Sequence, residues 1–150
     1  MRVATKDSGT CALAVVCAIA VCHAVINAGQ AKPTRSVWTG VYTAEQAKRG
    51  EGLYGEHCGS CHGTTLEGGE MAPPLTGGAF NSNWNGLSLG DLSERIRISM
   101  PQSNPGSLNR QQCADLVAFM LSAGNFPNGK EELSRELEML KQISFEALKP

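Results

Sequence analysis

The stretch Cys58-Gly59-Ser60-Cys61-His62 is a CxxCH. Two thiols three residues apart on one turn can each add to a vinyl group of haem, and the next side chain can reach the iron, so the spacing reads as a c-type haem attachment site. Other readings of the motif explain less of the sequence. A disulfide is the plain reading of paired cysteines in an oxidising compartment, but it gives no role to His62 or to the later Met100-Pro101. A thiol-disulfide enzyme needs a βαβ context that the helical pattern here does not offer. A zinc site needs a fourth ligand, for which Cys113 is the candidate, and adjacent Cys61 and His62 start a tetrahedron awkwardly.

Upstream of the motif the pattern is helical from Thr43. Thr43 and Gln46 are placed as a capping box, and Ala47, Gly50, Tyr54 and Cys58 fall on one face. Gly50 inside a helix costs about 1 kcal/mol relative to Ala, so another helix approaching closely is expected there. The candidate is Asn109 to Gly124, with Asn109 and Gln112 at its start, Cys113, Leu116, Val117 and Met120 on a face, and Gly124 at its end. Downstream of His62 a Gly-rich loop runs through Gly68 and Gly69 to Met71-Ala72-Pro73-Pro74-Leu75. Phe80 and Trp84 then fall in a polar loop with Asn81, Asn83 and Asn85. A short helix starts at Ser88, with Asp91 completing its capping box and Leu89, Leu92 and Ile96 facing inward. It ends before Pro101, which leaves Met100 at the head of a loop containing Pro105 and Gly106.

From about Thr43 to Gly124 the sequence resembles a class I cytochrome c, on the CxxCH, the Met100-Pro101 pair and an aromatic pattern that includes Tyr54 and Phe119. The resemblance implies an all-α fold, helices packed around one covalent haem c, with Cys58 and Cys61 forming the thioethers and His62 and Met100 as axial ligands. It also implies that the first and last helices cross beside the haem, through Gly50 and Tyr54 on one and Leu116 and Phe119 on the other. An axial histidine needs an acceptor on its other ring nitrogen. Pro73 resembles the family's loop proline whose carbonyl serves this purpose, with Leu75 packing on the haem and Trp84, a donor only, holding a propionate. Three other methionines compete for the iron on sequence grounds. Met71 follows His62 too soon, Met120 lies on a helix face, and Met139 lies beyond the resembling region; His57 adjoins Cys58 on the proximal side.

The chain has 150 residues, 41% hydrophobic and 18% charged, which suits a single domain. Four Phe, two Trp and two Tyr are a thin aromatic supply, as befits a core filled by a large flat cofactor that also stabilises a small domain. Arg2 and Lys6 precede an apolar run from Cys11 to Cys22, with small residues at Ala28 and Ala31. This describes a signal peptide over residues 1–28, with the cleavage point as late as 31, and hence a periplasmic or otherwise exported protein. Retention as a membrane anchor is the alternative, against which stands the need for about 20 apolar residues in a spanning helix. Removing residues 1–28 takes the net charge from −1 to −2, and no basic block points to nucleic acid.

Residues 29–42 read as an extended arm laying Val37, Trp38, Val41 and Tyr42 on the surface of a domain spanning 43–124. Beyond Gly124, residues 125–150 read as an extension in which Lys130 to Phe145 forms an amphipathic helix, with Leu133, Leu137, Leu140 and Ser144 near one stripe. That helix either folds back on the domain or docks a partner. Cys113 reads as a small hydrophobe of the core.

A haem iron held by His62 and Met100 has no open position, so the expected chemistry is one-electron transfer rather than catalysis. The region resembles most the cytochromes c that serve periplasmic dehydrogenases. The expected partners are redox proteins (a dehydrogenase, an oxidase or another cytochrome) met in small transient contacts by a monomer. The alternatives are a permanent haem subunit of a dehydrogenase, and a haem sensor or peroxidase if Met100 does not ligate.

Overall fold

The structure is a computed structural model and describes residues 33–150; the expected signal segment and the start of the arm lie outside the described residues. The fold is all-α apart from two short strands. Its helices are α1 (Ala44–His57), α2 (Gly59–His62), α3 (Gly77–Trp84), α4 (Leu89–Ser99), α5 (Arg110–Ala123) and α6 (Leu137–Leu140).

Helices α1 and α5 cross at Gly50. A Cβ at that position would overlap the Asp115 carbonyl oxygen and meet the Phe119 Cβ at 2.9 Å, so the two backbones touch where the sequence supplies a glycine. One turn further on, the Tyr54 and Phe119 rings pack 5.3 Å apart. Arg49 lays its guanidinium along Asp115, with bonds of 3.1 and 3.2 Å, and reaches Glu132 at 2.9 Å. These two carboxylates hold its pKa above the usual arginine range.

Helices α4 and α5 start with full capping boxes. Ser88 Oγ accepts from Asp91 N while Asp91 accepts from Ser88 N, and Asn109 and Gln112 exchange the same pair of bonds. At α1 only half of the box forms. Thr43 Oγ1 accepts from Gln46 N at 3.1 Å, but the fully buried Gln46 amide turns to Leu133. It donates to the Leu133 carbonyl at 3.0 Å and accepts from its N–H at 2.6 Å.

That clamp corrects the expected C-terminal helix over Lys130 to Phe145. Only Leu137–Leu140 is helical, followed by β2 (Ile143–Ser144). Leu133 cannot join a helical ladder because both of its backbone groups are bonded to Gln46, and Ser134 Oγ accepts from Glu136 N in a local turn of the kind that competes with helix. Leu133, Leu140, Ile143 and Phe145 are nevertheless buried, so the segment is a strap folded onto the domain, while Leu148 is left exposed.

The arm is also different from expectation. Arg35–Ser36 (β1) pairs in parallel with β2, Arg35 opposite Ile143, and Val37, Val41 and Tyr42 are core residues rather than surface cover. Phe80 and Trp84 lie on α3 rather than in a loop. Asn81, Asn83 and two glycines give this segment low helix propensity, but four-residue spacing stacks Phe80 and Trp84 on one face, and burial of Phe80 outweighs the local preference.

Substituting Gln46→Ala leaves the buried Leu133 N–H and C=O without partners, which should cost about 3 kcal/mol; Thr43→Ala should cost only about 1 kcal/mol. Denaturant midpoints would check this, and equal losses for the two variants would mean that the clamp does not hold the strap.

Candidate haem site

The CxxCH is one helical turn. His62 N and Cys61 N both bond to the Cys58 carbonyl, at 3.0 and 3.1 Å, which puts Cys58 and His62 one turn apart on the same face. The turn is fixed to α1 by Tyr54, whose hydroxyl donates to the Gly63 carbonyl at 2.6 Å. Burial pushes the Tyr54 phenol up to about 12, so it stays a donor at any ordinary pH.

His62 is 8% exposed, and its Nδ1 lies 2.8 Å from the Pro73 carbonyl oxygen. A carbonyl can only accept, so this bond places the ring proton on Nδ1 and leaves the Nε2 lone pair free for a metal. The intervening loop is shaped to deliver that carbonyl. Gly68 N bonds to the His62 carbonyl at 2.8 Å, and Leu75 N to the Leu66 carbonyl at 2.9 Å. Gly68 has φ +78 and lies against Pro73 and Pro74. Leu66 also has positive φ, at +63, held there by an almost fully buried side chain. The Glu67 carboxylate accepts from Thr65 N and Oγ1, bracing the outer side of the loop.

A cavity of about 650 Å³ opens beside this turn, and all seven residues singled out from the sequence line it: Cys58, Cys61, His62, Pro73, Leu75, Trp84 and Met100. Met100 terminates α4 in an extended conformation. Of the competing residues, Met71, Met120 and His57 also line the cavity and Met139 does not. Met71 is 80% exposed at the mouth, whereas Met120 is buried within α5.

The cavity fits a haem c. Its walls are apolar, from Leu75, Phe80, Leu92, Ile96, Leu116 and Met120, and Arg95 is the one guanidinium, ammonium or carboxylate among its described lining residues. The donor set is two free thiols, an imidazole with a free Nε2 and a thioether. The Trp84 indole N–H donates to no acceptor among the described residues, so it is available to a carboxylate such as a propionate. Sequence reasoning missed the Tyr54 hydroxyl and the place of Arg95 on the cavity, because nothing local marks a tyrosine as a loop anchor or tells a cavity-facing arginine from one in a surface basic ring.

The non-haem readings lose their geometry. Cys113 is fully buried in α5 and does not line the cavity, and among the described residues no three His, Cys, Asp or Glu side chains gather as metal ligands. Burial and the neighbouring Cys61 push the Cys58 thiol up to about 11, the reverse of the lowered value that a disulfide exchanger requires.

The family model described as cytochrome C oxidase, cbb3-type, subunit III matches residues 45–120, just over half of the chain. The chain belongs to this family. It is thus a class I c-type cytochrome with covalently bound haem c, and its cytochrome domain is a haem-based electron-transfer module. Among solved structures, it is similar to the sulfane dehydrogenase SoxCD from Paracoccus pantotrophus, with a TM-score of 0.50 and 18% identity over 73% of this cytochrome and 62% of that chain. At that identity the likeness is one of fold, and this cytochrome spans less than two thirds of the SoxCD chain's length. No curated protein sequence matches it. No helix among the described residues is long and apolar enough to cross a membrane.

Substituting Gly68→Ala should destabilise the haem-loaded cytochrome by about 2 kcal/mol, since a left-handed conformation alone costs an L-residue roughly 1–2 kcal/mol and the added methyl meets Pro74 N at 2.5 Å. Gly78→Ala, in open space on α3, should instead stabilise slightly. Denaturation midpoints of the two variants would read the contrast.

Proposed function

We propose that the protein is a one-electron carrier whose haem, attached through Cys58 and Cys61, is held by His62 Nε2 and the Met100 sulfur, and that it passes electrons between a periplasmic dehydrogenase and a downstream carrier or oxidase. The observation that carries this reading is the 2.8 Å contact of His62 Nδ1 with the Pro73 carbonyl, in a cavity that Met100 also lines. The bound haem supplies one reversible electron.

The protein's own residues set the conditions for that electron. The Pro73 carbonyl fixes the plane of the His62 ring and raises its basicity. The Met100 thioether, a soft neutral donor, favours the reduced state and a high potential among haems. With His62 and Met100 both engaged no position is open to a small substrate, so the protein works as a carrier and not as a catalyst. Cys61 is exposed and Ser60 lies beside it, so the thioether edge reaches the surface where a partner docks. The apolar walls from Leu75 to Met120 keep water from the interior of the cavity. Trp84 and Leu75 serve as propionate donor and haem contact.

The dehydrogenase as donor draws support from the sulfane dehydrogenase whose chain shares this fold, and the oxidase or carrier as acceptor from the description of the family. Residues 1–28 direct export to the periplasm, where this exchange takes place.

Absorption spectra of protein produced with the haem-attachment machinery test the ligand set. The oxidised wild type should show a weak near-infrared sulfur-to-iron band that Met100→Ala abolishes and Met120→Ala keeps. A band that survives Met100→Ala would transfer the axial role to another methionine. High-spin haem, or rapid carbon monoxide binding by the reduced wild type, would replace the carrier with a sensor or peroxidase.

A further inference from the structure

The strap and the haem cavity are joined by a line of aromatic rings. Trp38 packs on Phe126 with centroids 4.7 Å apart, and Phe126 meets Phe145 at 5.2 Å. Phe145 stands edge-on to Phe80 at 5.8 Å and 85°, and Phe80 lies 6.1 Å from Trp84. The last two rings line the cavity; Phe145 does not, although it is only 1% exposed.

The backbone follows the same route. Gly86 N bonds to the Phe145 carbonyl and Phe145 N to the Leu87 carbonyl, each at 2.8 Å, and Ala147 N bonds to Asn85 Oδ1 at 2.9 Å. The strap is thereby stitched to the segment that carries Trp84 and Leu87 into the cavity wall. At its far side the Trp38 indole donates to the Glu146 carbonyl at 2.9 Å, and Ser36 Oγ to the Glu146 carboxylate at 2.6 Å. The arm and the strap therefore close on each other behind the wall.

We propose that Phe145 is a positioning residue for electron transfer: from the C-terminal strap it backs the Phe80 and Trp84 wall and so keeps water off the haem. This rests on the haem-carrier reading above. The strap's large apolar side chains, Leu133, Leu140, Ile143 and Phe145, are spent inside the chain, which fits a buttress and not a docking helix for a partner. Interiors pack densely, and a side chain lost behind a wall leaves a void into which the wall relaxes. The apolar shell around a metal site controls solvent access and, through it, the potential. Water admitted past Phe80 and Trp84 favours the oxidised haem, whose iron centre carries the greater positive charge.

The test is a potentiometric titration of the full haem-loaded protein as wild type, Phe145→Leu, Phe145→Val and Phe145→Ala, with Leu133→Ala as the comparison. Leu133 is equally buried in the strap but belongs to no link of the aromatic line. The expected result is a reduced-to-oxidised ratio at fixed ambient potential that falls stepwise through the Phe145 series, reaching about tenfold for Phe145→Ala, or about 59 mV for a one-electron couple. Leu133→Ala should lose comparable stability in denaturant and keep the wild-type ratio. If Phe145→Ala does not hold haem, the Leu and Val variants carry the same ordering. Ratios within twofold of wild type across the folded Phe145 variants, or an equal shift in Leu133→Ala, overturn the proposal. Absence of covalent haem in the wild type overturns the carrier reading and this proposal with it, whereas haem present with an unmoved potential overturns this proposal alone.

Discussion

The contact of α1 with α5 at Gly50 is the constraint on which the rest depends. Two helix backbones meet there with the Asp115 carbonyl in the space that any side chain would fill. The approach brings Tyr54 against Phe119, and Tyr54 in turn holds the Gly63 carbonyl at the end of the CxxCH turn. The position of the histidine is thus transmitted from a packing contact through one ring and one hydrogen bond. The cost of a mid-helix glycine, about 1 kcal/mol, is offset by the surface that such an approach buries.

The loop that follows converts backbone geometry into the setting of the His62 ring. Its conformation is selected by a glycine with positive φ at Gly68, by a leucine forced to positive φ at Leu66 because its side chain is buried, and by the internal bonds of Glu67. The product is one carbonyl oxygen, that of Pro73, aimed at His62 Nδ1. A backbone acceptor carries no formal charge, so it fixes the imidazole tautomer without introducing a carboxylate into an apolar cavity, where an unpaired charge is costly.

With eight aromatic side chains in the whole sequence, the fold spends them in few places. Tyr54 and Phe119 sit at the helix crossing, and five others form the line from Trp38 to Trp84. Tyr42, the eighth, bonds through its hydroxyl to the Phe126 carbonyl at 2.6 Å, tying the arm to the start of the strap. Segments far apart in sequence therefore share one apolar layer behind the cavity, and the short parallel pair of β1 and β2 joins the arm to the strap.

The sequence by itself determined the haem-attachment motif and the helices that carry it. The CxxCH, the capping pairs Ser88 with Asp91 and Asn109 with Gln112, and the helix-interior Gly50 are signals written within a few residues of where they act, and local rules suffice to read them; Pro73 and Met100 stand out only through the resemblance to class I cytochromes c. Only the tertiary structure decided the fate of the arm, of α3 and of the C-terminal segment. Leu133, Leu137 and Leu140 have helical spacing, yet Gln46, 87 residues away in sequence, takes both backbone groups of Leu133 and confines the helix to Leu137–Leu140. Phe80 and Trp84 sit among residues that prefer loops, yet burial of Phe80, packed on Phe145 and Trp84, favours the helix. In each case the deciding energy comes from a partner distant in the chain, and periodicity within a window of local sequence holds no information about that partner.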